Sequence, residues 1–594
     1  MTRVRMSLTT SLALAAVTAL TAPLLATGPA SAAEPGRHTV TPLTFTVQAG
    51  GRTCTVDADL YRPDGVDAAH PAPAVLATNG FGGSKSEGST AAIGRAFADR
   101  GYVSLVYSGL GFGASGCLIS LDDPAIDGRA ASRLVDFLAG TRPADDGTTV
   151  DFVTTDASGD PRVGMIGGSY GGAIQLATAA EDPRVDALVP LITWHDLAYS
   201  LDPNNADPGG TVPGAFKWQW ASGFYLIGEG QPLLVPSLDP SRINGLSCLH
   251  FVTRACDTVR LLNSGRYPAG PTRDMLAFAR GVSPVSYLDR VKAPTLLVQG
   301  QADSLFTLNE AHATYERLRQ QGTETRMIWQ SWGHSGGVTD PASGELNLDQ
   351  GNLETSYVGR RILAWFDRHL HGRRDVDPGP AFAYYRSWQS GYGTADRVPP
   401  LTQQLYLSGD GTLAADRADI TAGSRTYTNW LVPTSHSESS LAGILGIEDP
   451  RPYDLPGTHL AWTSEPLTGP VDVVGAPRAT LKVTSRAAEA VQDSGDAADR
   501  LVLFAKVYDV APDGTQTLVN RLVAPVRVPD VTRPFTVELP GIVHRYEAGH
   551  RLRFVIAAGD TAYFGNRGIK PVTVSSAPHD TGVLRLPVVS GRIG

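Results

Sequence analysis

Between residues 73 and 192, short unbroken apolar runs alternate with amphipathic stretches of 10–15 residues. Pro73–Thr78, Tyr102–Tyr107, Arg162–Ile166 and Ala187–Ile192 read as buried strands. Ala91–Arg100, Ala130–Ala139 and Gly172–Ala180 read as the helices between them. Strands buried on both faces and interleaved with helices predict a parallel α/β sheet. From about His195 to Ser286 the alternation stops in a Trp-, Pro- and Gly-rich stretch that reads as an inserted cap. The alternation resumes with strand Thr295–Gln299, helix Asn309–Gln320, strand Arg326–Gln330 and helix Tyr357–His369. Past Arg397-Val398-Pro399-Pro400 only short alternating runs remain, among them Gln404–Leu407, Arg478–Thr484, Leu501–Asp509, Leu518–Val526, Phe535–Leu539, Arg551–Ala557 and Val583–Pro587. Such runs, spaced by Gly, Pro and Asp turns, predict a β-sandwich of jelly-roll type. Asp509–Gly514 lacks the acidic spacing of a calcium loop and reads as a hairpin turn.

The first 32 residues fall outside this pattern. Arg3 and Arg5 precede an apolar run from Leu12 to Leu25, and Ala30-Ser31-Ala32 follows. A basic start, a short apolar core and a small-residue cleavage site predict a secretory signal peptide. The expected division is therefore signal peptide 1–32, α/β segments 33–195 and 287–398, inserted cap 196–286, and β-sandwich 399–594. No later run is long and apolar enough to span a bilayer, so no membrane association is expected after removal of the signal. The expected location is extracellular.

Composition narrows the chemistry. A net charge of −9 and the absence of a long basic run leave no electrostatic footprint for nucleic acid. Four cysteines in 594 residues are too few for a disulfide-built scaffold, but export permits bridges. They allow three pairings; a local Cys248–Cys256 bridge would leave Cys54–Cys117 as the second. There is neither a C-x-x-C spacing nor an H-E-x-x-H motif, so no metal site is expected.

Two stretches match G-x-S-x-G: Gly167-Gly168-Ser169-Tyr170-Gly171 and Gly333-His334-Ser335-Gly336-Gly337. A nucleophile elbow needs a strand before it and a helix after it, and the first stretch alone has both. Ser169 is therefore the candidate nucleophile. A hydroxyl that attacks a carbonyl needs a base, and the base needs an orienting acid, in the chain order Ser, Asp or Glu, His. Asp303 follows strand Thr295–Gln299, and His334 follows the next strand, so both loops should open on the edge that carries Ser169. Candidate oxyanion donors are the N–H of Tyr170, immediately after the nucleophile, and that of Phe81 in the glycine-rich loop Asn79–Lys85.

These residues, with Trp365-Phe366-Asp367-Arg368-His369-Leu370, Asp509-Val510, Asp513-Gly514 and Gly549–Arg553, resemble the Xaa-Pro dipeptidyl-peptidases and the related bacterial cocaine esterase. The resemblance spans nearly all of the chain after the signal. It implies an α/β-hydrolase fold with an inserted cap and a C-terminal jelly roll. It also implies a serine hydrolase without metal or organic cofactor, with Ser169, Asp303 and His334 as its triad. The cocaine-esterase branch takes one oxyanion donor from a tyrosine in an Asn-Pro-Tyr loop; here the loop reads Asn79-Gly80-Phe81.

The expected reaction is hydrolysis of an acyl bond in a peptide or ester substrate. Removal of Xaa-Pro dipeptides is the expected form of it, which would require an acidic group for the substrate ammonium and an apolar pocket for proline. Asp196, Glu229, Trp194, Trp218 and Trp220 are the candidates. The alternative is a carboxylesterase for bulky acyl esters, which needs the aromatic pocket but no ammonium site. A non-catalytic carbohydrate-binding or adhesion role conflicts with an intact, correctly ordered triad. The sequence leaves homo-oligomerisation open.

Overall fold

The computed structural model describes residues 37–234, 239–335, 341–349, 351–430, 432–440 and 448–594. The predicted signal segment lies outside them, as do Gly336 and Gly337 of the second serine motif.

A ten-stranded sheet organises the first two-thirds of the chain. Its strands are β1 (His38–Ala49), β2 (Arg52–Pro63), β3 (Ala74–Thr78), β4 (Val103–Tyr107), β5 (Val163–Gly168), β6 (Val185–Leu191), β7 (Thr295–Ala302), β8 (Thr325–Trp332), β9 (Phe382–Arg386) and β10 (Gly391–Ala395). They lie in the order β1-β2-β4-β3-β5-β6-β7-β8-β9-β10. The centre is parallel from β4 through β9. The β1–β2 hairpin and β10 add antiparallel edges.

The two-residue period of the strands sends neighbouring side chains into different cores. Leu76 and Met165 face one core, shared with Leu134 and Phe137 of α2 (Arg129–Leu138) and with Leu176 of α3 (Tyr170–Glu181). Val75, Ala77 and Ile166 face the other, formed by Phe97 of α1 (Gly88–Asp99) and by Ile362, Trp365 and Phe366 of the helix Tyr357–His369. Coverage on both faces explains why β3 and β4 are buried at every residue.

Between β6 and β7 the predicted cap contains α4 (Leu197–Leu201), α5 (Trp218–Gly230), α6 (Thr253–Asn263) and α7 (Ala269–Gly281). Cys248–Cys256 closes a loop within the cap, and Cys54–Cys117 ties β2 to the segment after β4, with Cα–Cα distances of 5.8 and 5.5 Å. After β7 come α8 (Leu308–Gln320), β8 and α9 (Tyr357–His369).

The C-terminal domain is β-rich and antiparallel. One sheet pairs Gln403–Leu407 with Val583–Leu586, then Arg478–Leu481 and Phe535–Glu538. A second pairs His459–Thr463, Arg551–Ala557 and Val502–Val510. Leu405, Leu481, Leu503, Phe554 and Leu584 share the core between them. Val502–Val510 turns back through Ala511–Thr515 to pair with Gln516–Leu518, so the acidic stretch at Asp509 is a hairpin. The expected single strand Leu518–Val526 is broken: Asn520 and Arg521 have φ of 49° and 56°, and pairing resumes only at Ala524–Arg527. The domain docks on the cap through buried Arg527, whose guanidinium donates to the cap carbonyls of Pro213 and Gly214.

Candidate active site

Ser169 directly follows β5 and caps the start of α3 with φ 56° and ψ −118°. A non-glycine residue reaches this left-handed conformation only when its surroundings enforce it, and it is the geometry of a sharp strand-to-helix turn. The flanking glycines make the turn possible. A Cβ on Gly167 would lie 2.6 Å from the Gly171 carbonyl oxygen, and one on Gly171 would lie 2.5 Å from that of Thr78.

The other two candidates meet on the adjoining strand ends. Asp303 immediately follows β7, and His334 stands two residues after β8. Asp303 is fully buried, and its Oδ2 lies 2.7 Å from Nδ1 of His334. Its Oδ1 accepts the Phe306 N–H at 2.8 Å, which fixes the plane of the carboxylate. Gly333 permits the approach of the two loops, since a Cβ there would fall 2.5 Å from the Asp303 Cβ. Phe306 packs edge-on to the His334 ring at 5.2 Å, and Trp220 does so at 6.3 Å.

Ser169, Tyr170 and Phe306 line a common pocket with Phe81, Trp194 and Phe224. Its remaining wall comes mainly from Leu, Ala, Met and Phe side chains of the cap helices. Phe81 sits in an aromatic cluster, edge-on to Phe112, Tyr170 and Phe224 at 5.1–5.7 Å. The N–H groups of Phe81 and Tyr170 donate to no acceptor among the described residues. Ser169 also borders a second, more polar depression lined by Glu87, Asn347 and Asp349.

Several expected pocket residues have other employment. Asp196 does not line the pocket: it caps α4 by accepting the Ala198 N–H and pairs with Arg280 at 3.0 Å. Trp218 points to the C-terminal domain, where its Nε1 donates to the Thr561 carbonyl at 2.8 Å. Glu229 is a loop anchor that accepts the N–H groups of Leu249 and His250. It also forms, with Cys248 and Cys256, the one group of metal-like spacing among the described residues, and both thiols there are spent in a disulfide. Trp220 lies beside His334 rather than in the pocket wall, and Trp194 alone of the five lines it. Ser335, the serine of the second motif, is buried and hydrogen-bonded to Ser304.

Sequence reasoning missed Asp202. This residue lines the apolar pocket at 4% exposure, and neither carboxylate oxygen has a hydrogen-bond partner among the described residues. Burial pushes its carboxyl up to about 7, against the pull of the Arg527 charge. The Asp202-Pro203 context carries no signal for this; only the packing of the cap reveals it.

Two family models match the chain. That for the X-Pro dipeptidyl-peptidase (S15 family) covers residues 51–336, and that for the X-Pro dipeptidyl-peptidase C-terminal non-catalytic domain covers 385–573. Two curated proteins, from Mycobacterium bovis and Mycobacterium tuberculosis, are each named "Putative serine esterase". They are 24% identical to it over 327 residues, 48% of this chain. The match spans about half the length of those relatives. Among solved structures, an aminopeptidase from a marine sediment archaeon (Thaumarchaeota archaeon) has a TM-score of 0.63 at 16% identity, covering 93% of this chain and 97% of that one. An α-amino acid ester hydrolase has 0.62 at 17%, covering 96% and 100%. A CocE/NonD family hydrolase from Staphylococcus aureus has 0.59 at 13%, covering 96% and 99%. At such identities the structural likeness speaks for the fold. With catalytic and C-terminal models of one family matched in order along most of its length, the chain belongs to the X-Pro dipeptidyl-peptidase (S15) family of hydrolases.

Proposed function

We propose that this protein is an exported serine hydrolase that cleaves esters of bulky, apolar carboxylic acids through an acyl-enzyme. The observation that carries the reading is the Asp303–His334 hydrogen bond on the strand edge next to the Ser169 elbow, which opens into an apolar pocket. Ser169 Oγ attacks the acyl carbon while His334 Nε2 takes its proton, and the oxyanion is held by the N–H groups of Tyr170 and Phe81. Collapse expels the alcohol with the proton from His334. Water, activated by the same histidine, then releases the acid. Export is supported by the signal-like first 32 residues and by two disulfides, which persist in oxidising compartments.

Asp202 supports a second reading, in which the substrate carries an amine: an aminoacyl ester or an Xaa-Pro peptide. With Asp196 and Glu229 occupied, it is the unpaired carboxyl in the pocket that an ammonium would meet. Assaying p-nitrophenyl butyrate beside Ala-Pro-p-nitroanilide separates the two. The ester reading expects turnover of the butyrate and little of the anilide. If the anilide is the better substrate and Asp202→Asn abolishes that activity alone, the amine reading replaces it.

Asp202 also makes a stability prediction. Its proton is held more tightly in the fold than in the unfolded chain, where the carboxyl titrates near 3.9. Its contribution is therefore complete below that value and is lost as pH rises through about 7. Asp202→Asn should melt with the wild type near pH 4 and several degrees above it at pH 8. Coincident melting curves at both values would remove the buried-carboxyl assignment.

The oxyanion hole predicts that Phe81→Pro, which deletes one N–H, lowers kcat by about 10²–10³-fold in protein shown folded by circular dichroism. Phe81→Tyr removes no donor and should leave the rate of the chemical step near that of the wild type. A folded proline variant with normal kcat would move the second donor elsewhere, with the Gly82 N–H the first to test.

A further inference from the structure

The family model that matches residues 385–573 describes a non-catalytic domain. Yet that domain sends a carboxyl group against the loop that carries Asp303. Glu438 follows the strand Ser435–His436 and is 4% exposed. Its Oε1 accepts the Ser304 hydroxyl and, at 3.2 Å, the Trp220 Nε1–H. Ser304 is the residue after Asp303, and Trp220 flanks the His334 ring.

The chain of bonds continues to the base. The Ser335 hydroxyl, one residue after His334, donates to Ser304 Oγ at 2.7 Å, and the Ser304 N–H donates back to Ser335 Oγ at 2.6 Å. Hydroxyl donors therefore run in one direction, Ser335 to Ser304 to Glu438, and terminate on the accepting Oε1 of Glu438. Without an oxygen at that terminus, the Ser304 hydroxyl would lose its fixed acceptor and both loops a shared tether. Lys217 completes the clamp from the cap: its buried ammonium donates to the carbonyls of Ser304 and Leu305 at 2.6 and 3.0 Å. The acid loop is thus gripped by a cap lysine on its backbone and a C-terminal-domain carboxyl on its side chain.

We infer that Glu438 is a positioning residue, through which the C-terminal domain holds the Asp303 and His334 loops in register by way of Ser304 and Ser335. The inference rests on the proposed hydrolytic role of those loops. Buried charged hydrogen bonds of this kind favour a single arrangement, because each alternative leaves an ion or hydroxyl unpaired out of water. The benefit appears in the reaction rather than in substrate binding, since no atom of Glu438 lines the pocket. Misplacing a catalytic group by about 1 Å can cost about 10²-fold in rate.

The test is steady-state kinetics with p-nitrophenyl butyrate, together with the rate of Ser169 labelling by a fluorophosphonate, on the full chain. Glu438→Ala should lower kcat and the labelling rate together by about 10–10²-fold, with KM within about twofold of the wild type. Glu438→Gln keeps an oxygen where Oε1 stands and should restore most of the rate. Ser335→Ala should show a similar loss, and the Glu438→Ala/Ser335→Ala pair should lose far less than the product of the single effects. A folded Glu438→Ala protein with wild-type kcat would overturn the inference. So would a loss confined to KM, or one that glutamine does not rescue. If Glu438→Ala does not fold, Ser335→Ala decides alone: wild-type kcat there overturns the inference. Absence of label on Ser169 in the wild type removes the hydrolytic reading, and the inference with it.

Discussion

Ser169→Ala is expected to lower kcat by about 10⁴-fold or more on the best ester substrate while leaving the melting temperature within a few degrees. The loss is large because no other group can form the acyl-enzyme. Ser335, the serine of the second G-x-S-x-G match, is buried in its exchange with Ser304 and cannot take over. The fold should tolerate the change because the serine side chain makes no capping bond to α3. Alanine retains the same Cβ, so the left-handed backbone at φ 56° becomes no more crowded. Kinetics on ester substrate and a thermal melt check both halves. A folded Ser169→Ala protein with more than a few per cent of the wild-type rate would exclude Ser169 as the nucleophile.

Asp303→Asn is expected to cost about 10⁴-fold in kcat with an intact fold, and the surrounding hydrogen bonds explain why. In the wild type one carboxylate oxygen accepts from the Phe306 N–H and the other from His334 Nδ1. An asparagine can offer only one oxygen. The Phe306 N–H, a donor fixed by the backbone, claims it, which turns the amide NH₂ toward His334. Nδ1 must then act as acceptor, so the proton of the neutral ring moves to Nε2, the nitrogen that should receive the Ser169 proton. The amide therefore holds the imidazole in the wrong tautomer rather than merely weakening a contact. Asp303→Ala should also be slow, but it leaves the tautomer free and a cavity behind. An Asp303→Asn enzyme within tenfold of the wild type would show that Asp303 does not orient the base.

The part of the fold that holds the site was legible because parallel strands buried on two faces leave a plain trace. Pro73–Thr78 differs from β3 by one residue, and helix Tyr357–His369 coincides with α9. Loops at the C-terminal ends of such strands carry Phe81, Ser169, Asp303 and His334, so their convergence on one edge follows from order alone. The β1–β2 hairpin was not read as strand: its Thr-rich outer face keeps the apolar positions of His38–Ala49 sparse until Leu43. Nor were β9 and β10 read as strands, where Gly391-Tyr392-Gly393 reads as loop until it is paired with β9. Leu518–Val526 reads as one strand by hydrophobicity, and only two residues with positive φ interrupt it.

The pocket was less legible than the candidate triad. Asp196 could have been recognised as a helix cap, since it stands immediately before the helix Leu197–Leu201. Trp218 and Glu438 could not be placed from sequence. Their partners, Thr561 and Ser304, lie 343 and 134 residues away and depend on how the β-rich domain docks. Asp202 gave no sign either, because its distinction is the lack of a partner, a property of packing rather than of pattern.

The most direct measurement is peptide mapping by mass spectrometry after treatment of the full chain with a fluorophosphonate. Such a probe reports an activated serine without assuming a substrate, and it leaves a covalent mark that can be assigned to one residue. The expected result is a single phosphonyl adduct on Ser169, absent in Ser169→Ala and formed much more slowly in Asp303→Asn. An adduct on Ser335, or equal labelling of wild type and Asp303→Asn, would contradict Ser169 as a nucleophile driven by the Asp303–His334 pair.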